Sequence, residues 1–95
     1  MTTEQRYLSD CHQIMGDILP QNPGYKVQLA SVLHDYIVQK VGRKEPRVSG
    51  MIFELPIKDI KSLLQDYQLF ELWVDHASNL IDENRRGKVW PIPRD

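Results

Sequence analysis

The sequence predicts an all-α domain of five short helices. Apolar residues recur at steps of three and four in five successive blocks, and the strict alternation that marks a strand is absent. Turn residues such as Pro20 to Gly24 and Gly42 fall between blocks, whereas Gly50 falls inside one. Ninety-five residues with 41% apolar content can bury a single core without a disulfide or a metal, and leave no room for a second domain.

In the first block Tyr7, Leu8, Cys11, Ile14, Met15, Ile18 and Leu19 form one stripe, and Thr2 followed by Gln5 has the spacing of a capping box. Pro20 to Gly24 is a run of turn residues and reads as a loop. The second block places Tyr25, Leu29, Val32, Leu33, Tyr36, Ile37 and Val41 on one face, with Gly42 where a left-handed cap is wanted. Arg43-Lys44-Glu45 is a charged connection to a third helix of about two turns. Pro46 suits its first position, and Pro56 prevents it from running on through Leu55. Pro56 opens a fourth helix marked by Ile57, Ile60, Leu63 and Leu64. Asp66-Tyr67 is the break before a fifth, marked by Leu69, Phe70, Trp73, Ala77, Leu80 and Ile81. Five short helices on brief connections make a low contact-order fold. The expected division is a helical domain over 1–84 and a basic, proline-containing tail over 85–95, in which Trp90 and Ile92 are free to fold back or meet a partner.

A formal net charge of -1 argues against a domain that works by gripping phosphate backbones, so direct nucleic-acid binding is not expected. The one cysteine, Cys11, excludes an intramolecular disulfide, and no Cys/His set has metal-ligand spacing; no metal or other cofactor is expected. No apolar run reaches the roughly 18 to 20 residues that span a bilayer, and the N-terminus lacks a signal-peptide core. A cytoplasmic location without membrane insertion is the expectation.

Gly50 is the most informative single residue. A glycine inside a two-turn helix costs roughly 0.5 to 1 kcal/mol relative to alanine, in an element with little stability to spare. Something is expected to approach that backbone closely, either a neighbouring helix or a ligand chain.

The stretch Arg47-Val48-Ser49-Gly50-Met51-Ile52-Phe53-Glu54 resembles the signature Lys-Ile-Thr-Gly-Met-Leu-Leu-Glu of the MLLE domain. That domain is the C-terminal peptide-binding unit of cytoplasmic poly(A)-binding proteins, and also occurs in a HECT-type ubiquitin ligase and in fungal proteins that carry RNA on endosomes. Without a gap, Leu29 to Ile37 lies over the family's second helix, and Ile60, Leu63, Leu64, Val74, Asp75, Ala77, Leu80 and Ile81 lie over its fourth and fifth. The resemblance covers roughly residues 25–82.

It implies a compact right-handed superhelix of five α-helices that binds extended linear motifs around the short third helix, through a leucine and a phenylalanine. The implied leucine pocket is formed by Met51, Ile52, Ala77 and Leu80, with Trp73 where the family often has lysine. The implied phenylalanine pocket is formed by Ala30, Ser31, His34, Arg47, Ser49, Gly50 and Phe53. Here the chain departs from the family pattern. His34 replaces an aromatic residue that stacks on the ligand, Ala30 replaces a glycine in the pocket floor, and Phe53 replaces leucine. Arg47 and Ser49 keep the family's cation and small hydroxyl, and with Arg43 and Lys44 they suggest a basic rim that favours acidic segments.

The resulting expectation is a monomeric, non-catalytic adaptor whose partners are short linear motifs in disordered regions of other proteins. Catalysis is disfavoured because His12, His34 and His76 have no nucleophile or phosphate loop in a recognisable motif, and Asp75 and His76 are helix neighbours that point about 100° apart. A structural or oligomerising helical module is the rival reading, in which Trp73, Phe53 and Met51 are ordinary core and Gly50 packs against another helix.

Overall fold

The computed structural model describes residues 2–83. The tail expected over 85–95, with Trp90 and Ile92, and residue 84 at the end of the expected domain lie outside the described residues. Among those residues there are five α-helices, one turn of 3-10 helix and no strand: α1 (Thr3–Ile14), the turn Met15–Asp17, α2 (Tyr25–Val41), α3 (Pro46–Phe53), α4 (Ile57–Leu64) and α5 (Tyr67–Glu83). The all-α expectation holds.

Local chemistry sets most of the boundaries. Both capping-box bonds are made at α1: the Gln5 N–H donates to Thr2 Oγ1 at 3.1 Å, and the Thr2 N–H donates to Gln5 Oε1 at 2.9 Å. Helix α2 ends on Gly42 at φ 90°, whose N–H donates to the Val38 carbonyl at 2.8 Å. Pro46 begins α3, and the preceding Glu45 caps it through a bond from the Arg47 N–H at 3.3 Å. Asp66 caps α5 by accepting from the Leu69 N–H at 3.2 Å.

The first block differs from its expected form. Its stripe spans two elements, because the α-helix stops at Ile14 and Ile18 reaches the core from beyond the 3-10 turn, fully buried. Gly16 weakens the helix there. The Asn22 side-chain amide donates to the Asp17 carbonyl at 2.8 Å, and the Leu19 N–H donates to the same carbonyl at 3.1 Å, so the loop takes up an acceptor that a longer helix would have used.

Helix α3 packs against both α5 and α2, while α1 lies across α2, α4 and α5. The short 42–45 connection and an ion pair from Lys26 at the start of α2 to Glu54 just past α3 (2.7 Å) show that α3 folds back along α2. At the far end of α2, Lys40 reaches Glu71 at 3.2 Å and Asp75 at 3.5 Å on α5.

Tyr7 centres the aromatic part of the core. Its ring meets Tyr36 edge-on at 5.2 Å and lies tilted against Tyr67 at 5.0 Å and Phe70 at 4.7 Å. Its buried hydroxyl donates to the Leu63 carbonyl at 2.7 Å, which satisfies an acceptor near the C-terminus of α4. Tyr36 links outward: its hydroxyl donates to Asp10 at 2.7 Å and accepts from the Arg6 guanidinium at 3.1 Å. Leu29, Leu33, Ile37, Val48, Ile52, Leu55, Ile60, Leu63, Leu64, Phe70, Trp73, Val74 and Ala77 belong to the same buried apolar interior.

Candidate functional site

With about 100° between successive residues, the residues of α3 after Pro46 divide into four directions. Val48 and Ile52, four apart, are buried. Arg47, Gly50 and the adjoining Glu54 share the opposite, exposed side. Met51 is half-buried on one flank, and Ser49 and Phe53 are half-buried on the other. The short helix is thus an exposed ridge with an apolar residue on each slope.

The ridge crest is Gly50. A Cβ placed there would meet nothing within 4 Å. Among the described residues no neighbouring helix approaches Gly50, so the expectation that this glycine admits one is not met there. Of the two approaches that the sequence left open, packing by another of the described helices is removed.

The residues assigned to the leucine pocket do come from the packed pair α3 and α5, but most of them are interior. Ile52 is 1% exposed, Trp73 3% and Ala77 0%, so they form a floor rather than the walls of an open pocket. Met51 and Leu80 alone of this set stay half-buried. Leu80 continues the Trp73–Ala77 stripe by one turn toward the end of α5, following the three-and-four spacing.

On α2, Ala30 is half-buried while Ser31 and His34 are exposed. Val27, one turn earlier on the same side, is 74% exposed, and Val38, one turn later, is half-buried. The sequence reading missed these two valines. Their spacing with Ser31 and His34, at steps of four, three and four, was a readable second stripe on the polar side of α2.

One carboxylate, Glu45, is set among the three cations of the basic rim. Glu45 holds the Arg47 guanidinium through two bonds, from Nε at 2.9 Å and from a terminal nitrogen at 3.0 Å, and stands 3.7 Å from Arg43. The Arg47 hydrogen bond is the main reason that the Glu45 carboxyl is held below the usual carboxylate range. Arg47 is exposed at the site's edge as expected, but it presents a paired charge to any acidic segment.

Other candidate groups are dispersed. Cys11 is fully buried, and that burial pushes its thiol pKa up to about 12, so it behaves as a small core residue. His12 is exposed and His76 half-buried, and the Asp75 carboxylate turns to Lys40 rather than forming a relay with its neighbour. Among the described residues no three or more His, Cys, Asp or Glu stand where they could hold a metal ion, and no helix is long and apolar enough to cross a membrane.

Compared with protein-family models, with curated proteins and with solved structures, the chain matches none.

Proposed function

We propose that this domain is a non-catalytic peptide receptor of the MLLE type, which takes an extended segment of a partner across α3 and so recruits that partner to an RNA-associated or trafficking polypeptide of the cytoplasm. The observation that carries this reading is the open crest at Gly50 between the apolar slopes of Met51 and Phe53. A glycine that tolerates a side chain within its own chain, in a helix that it weakens, is explained by an approaching backbone from outside.

A leucine anchor would rest between Met51 and Leu80, above the floor of Ile52, Trp73 and Ala77. An aromatic anchor would lie on the other slope, near Phe53, Ser49, Ala30, Ser31 and His34, with Val27 extending that surface. Each anchor contributes on the order of 1.5 to 3 kcal/mol on burial. Ordering the incoming segment takes back roughly 2 to 5 kcal/mol. Backbone hydrogen bonds and flanking contacts must add the rest, which places the affinity at about micromolar. With Arg47 already paired to Glu45, acidic residues in the ligand contribute little.

Met51→Ala tests the reading. It is expected to weaken capture of Leu- and Phe-containing peptides by about tenfold or more while circular dichroism stays unchanged, and equal affinity in both proteins would remove Met51 from the site. A self-associating module is a second reading, favoured by the exposure of Val27 and of Leu72 at 55%. Sedimentation separates the two, since only the second requires a mass that grows with concentration.

A further inference from the structure

We infer that the start of α3 selects a phosphorylated residue in the segment that crosses Gly50, with Arg43 and Arg47 exchanging the carboxylate of Glu45 for the partner's phosphate. This inference rests on the proposed peptide-receptor reading and names the chemistry of its ligand.

Charge at this end of α3 runs against that of the body. Residues 2–83 hold eight Lys and Arg against twelve Asp and Glu, a net of -4, whereas residues 43–47 hold three cations and one carboxylate, a net of +2. A polyanion such as RNA, or an anionic lipid surface, meets the field of the whole body. A single phosphate on a short segment meets chiefly the groups within a Debye length, about 8 Å at physiological salt. The distribution therefore favours one anionic group on a peptide over a charged polymer.

Two guanidinium groups already converge on one anion. The Glu45 carboxylate accepts from Arg47 Nε at 2.9 Å, from a terminal nitrogen of Arg47 at 3.0 Å and from the Arg47 main-chain N–H at 3.3 Å, and stands 3.7 Å from Arg43. Its side chain is 9% exposed, while those of Arg43 and Arg47 are 51% and 69% exposed. The anion is thus held on the inside and the cations reach into solvent.

A partner's carboxylate gains little here. It replaces one single charge by another and gives up the tether that keeps Glu45 in place. A phosphate carries a charge of about -1.5 to -2 and three acceptor oxygens, enough to bridge both guanidinium groups. Release of the Glu45 side chain does not undo the start of α3, because the Glu45 carbonyl still accepts from the Val48 N–H at 3.1 Å and the Ser49 N–H at 3.4 Å. Position agrees as well. Arg47 shares the exposed side of α3 with Gly50 and precedes it by three residues, about 4.5 Å along the axis. An extended chain advances about 3.3 Å per residue, so the phosphate belongs one or two residues from the crossing point.

The test compares three peptides on the full chain: one bearing leucine and phenylalanine, the same peptide with phosphoserine one or two residues to either side of the crossing point, and the same with glutamate there. Phosphoserine is expected to tighten binding by about tenfold, an effect that fades as salt rises, and glutamate by less than about twofold. Arg47→Gln should bring the ratio of phosphorylated to plain affinity close to one. Glu45→Gln removes the competing charge and keeps an acceptor for the cap, so it should raise that ratio and let glutamate contribute too. A Glu45 that only caps the helix would give no such gain. A ratio near one in the native protein, or one that survives Arg47→Gln, would overturn this inference and leave the receptor reading standing. If no peptide binds, the receptor reading falls, and N-acetyl phosphoserine amide at millimolar concentration decides the rest: a shift of the Arg47 Nε resonance keeps the anion exchange, and silence removes it. Tighter binding of a homopolymeric RNA or of phosphatidylserine vesicles than of the phosphopeptide would overturn the assignment to a peptide.

Discussion

Replacing Gly50 by alanine separates the role of this residue in the fold from its role in recognition. The added methyl meets nothing within 4 Å, and Gly50 is not among the positions of positive φ. Gly50→Ala is therefore expected to stabilise the domain by about 0.5 to 1 kcal/mol, through better helix propensity and a less free unfolded chain. In a domain of this size that is an increase in Tm of about 2 to 8 °C, readable by thermal circular dichroism and by the denaturant midpoint. Gly42→Ala is the matched control. It too has open space, but φ is 90°, so the cost is conformational and about 1 to 2 kcal/mol in the opposite direction. If a partner's backbone crosses the crest, Gly50→Ala should also weaken peptide binding while it raises stability. A loss of stability at Gly50 would refute the reasoning at its base, since it would mean that the position is packed.

Further outcomes concern the core and the cap of α3. Tyr7→Phe removes the hydroxyl that donates to the Leu63 carbonyl, and should lower stability by about 1 kcal/mol in denaturant titrations; an unchanged midpoint would show that the bond contributes nothing. Burial holds the Cys11 thiol and the Tyr7 phenol protonated in the fold, so both stabilise it at pH values below their unfolded pKa. That stabilisation should decline as pH rises from about 9 toward about 12, and native Cys11 should resist a thiol reagent at pH about 8 until the chain unfolds; rapid labelling of folded protein would contradict its burial. Glu45 is the reverse case, its pKa depressed by Arg47, so its stabilisation of α3 is present above the unfolded carboxyl value and is withdrawn as pH falls. Glu45→Gln should flatten the acid limb of the stability profile, and an identical limb would remove Glu45 from the cap.

Helix boundaries were legible where one residue's covalent chemistry decides them. Pro46 and Pro56 bracket α3, Gly42 takes the left-handed cap of α2, and Thr2 and Gln5 close the capping box. The end of α1 was not legible, because it depends on the Asn22 side chain returning from the next loop to the Asp17 carbonyl. Helical period also cannot distinguish a pocket wall from a core floor. Ile52, Trp73 and Ala77 share the period of Met51 and Leu80, and only the packing of α3 on α5 separates them. The pairing inside the rim was hidden for a related reason: Glu45 stands two residues from Arg47, a spacing that does not pair within a helix, but the cap turns its carboxylate onto the guanidinium. Val27 escaped notice because a lone valine on a polar face carries no signal until Ser31, His34 and Val38 are seen to extend its row.

Backbone amide shifts of the full chain, followed as a peptide bearing both leucine and phenylalanine is added, test the central claim most directly. Saturable perturbations centred on Gly50 are expected, with those near Met51 and Leu80 lost for a peptide lacking its leucine and those near Phe53 and His34 lost for one lacking its phenylalanine. Saturable binding that leaves Gly50 and both slopes of α3 unperturbed, or no binding by any such peptide, would rule the receptor reading out.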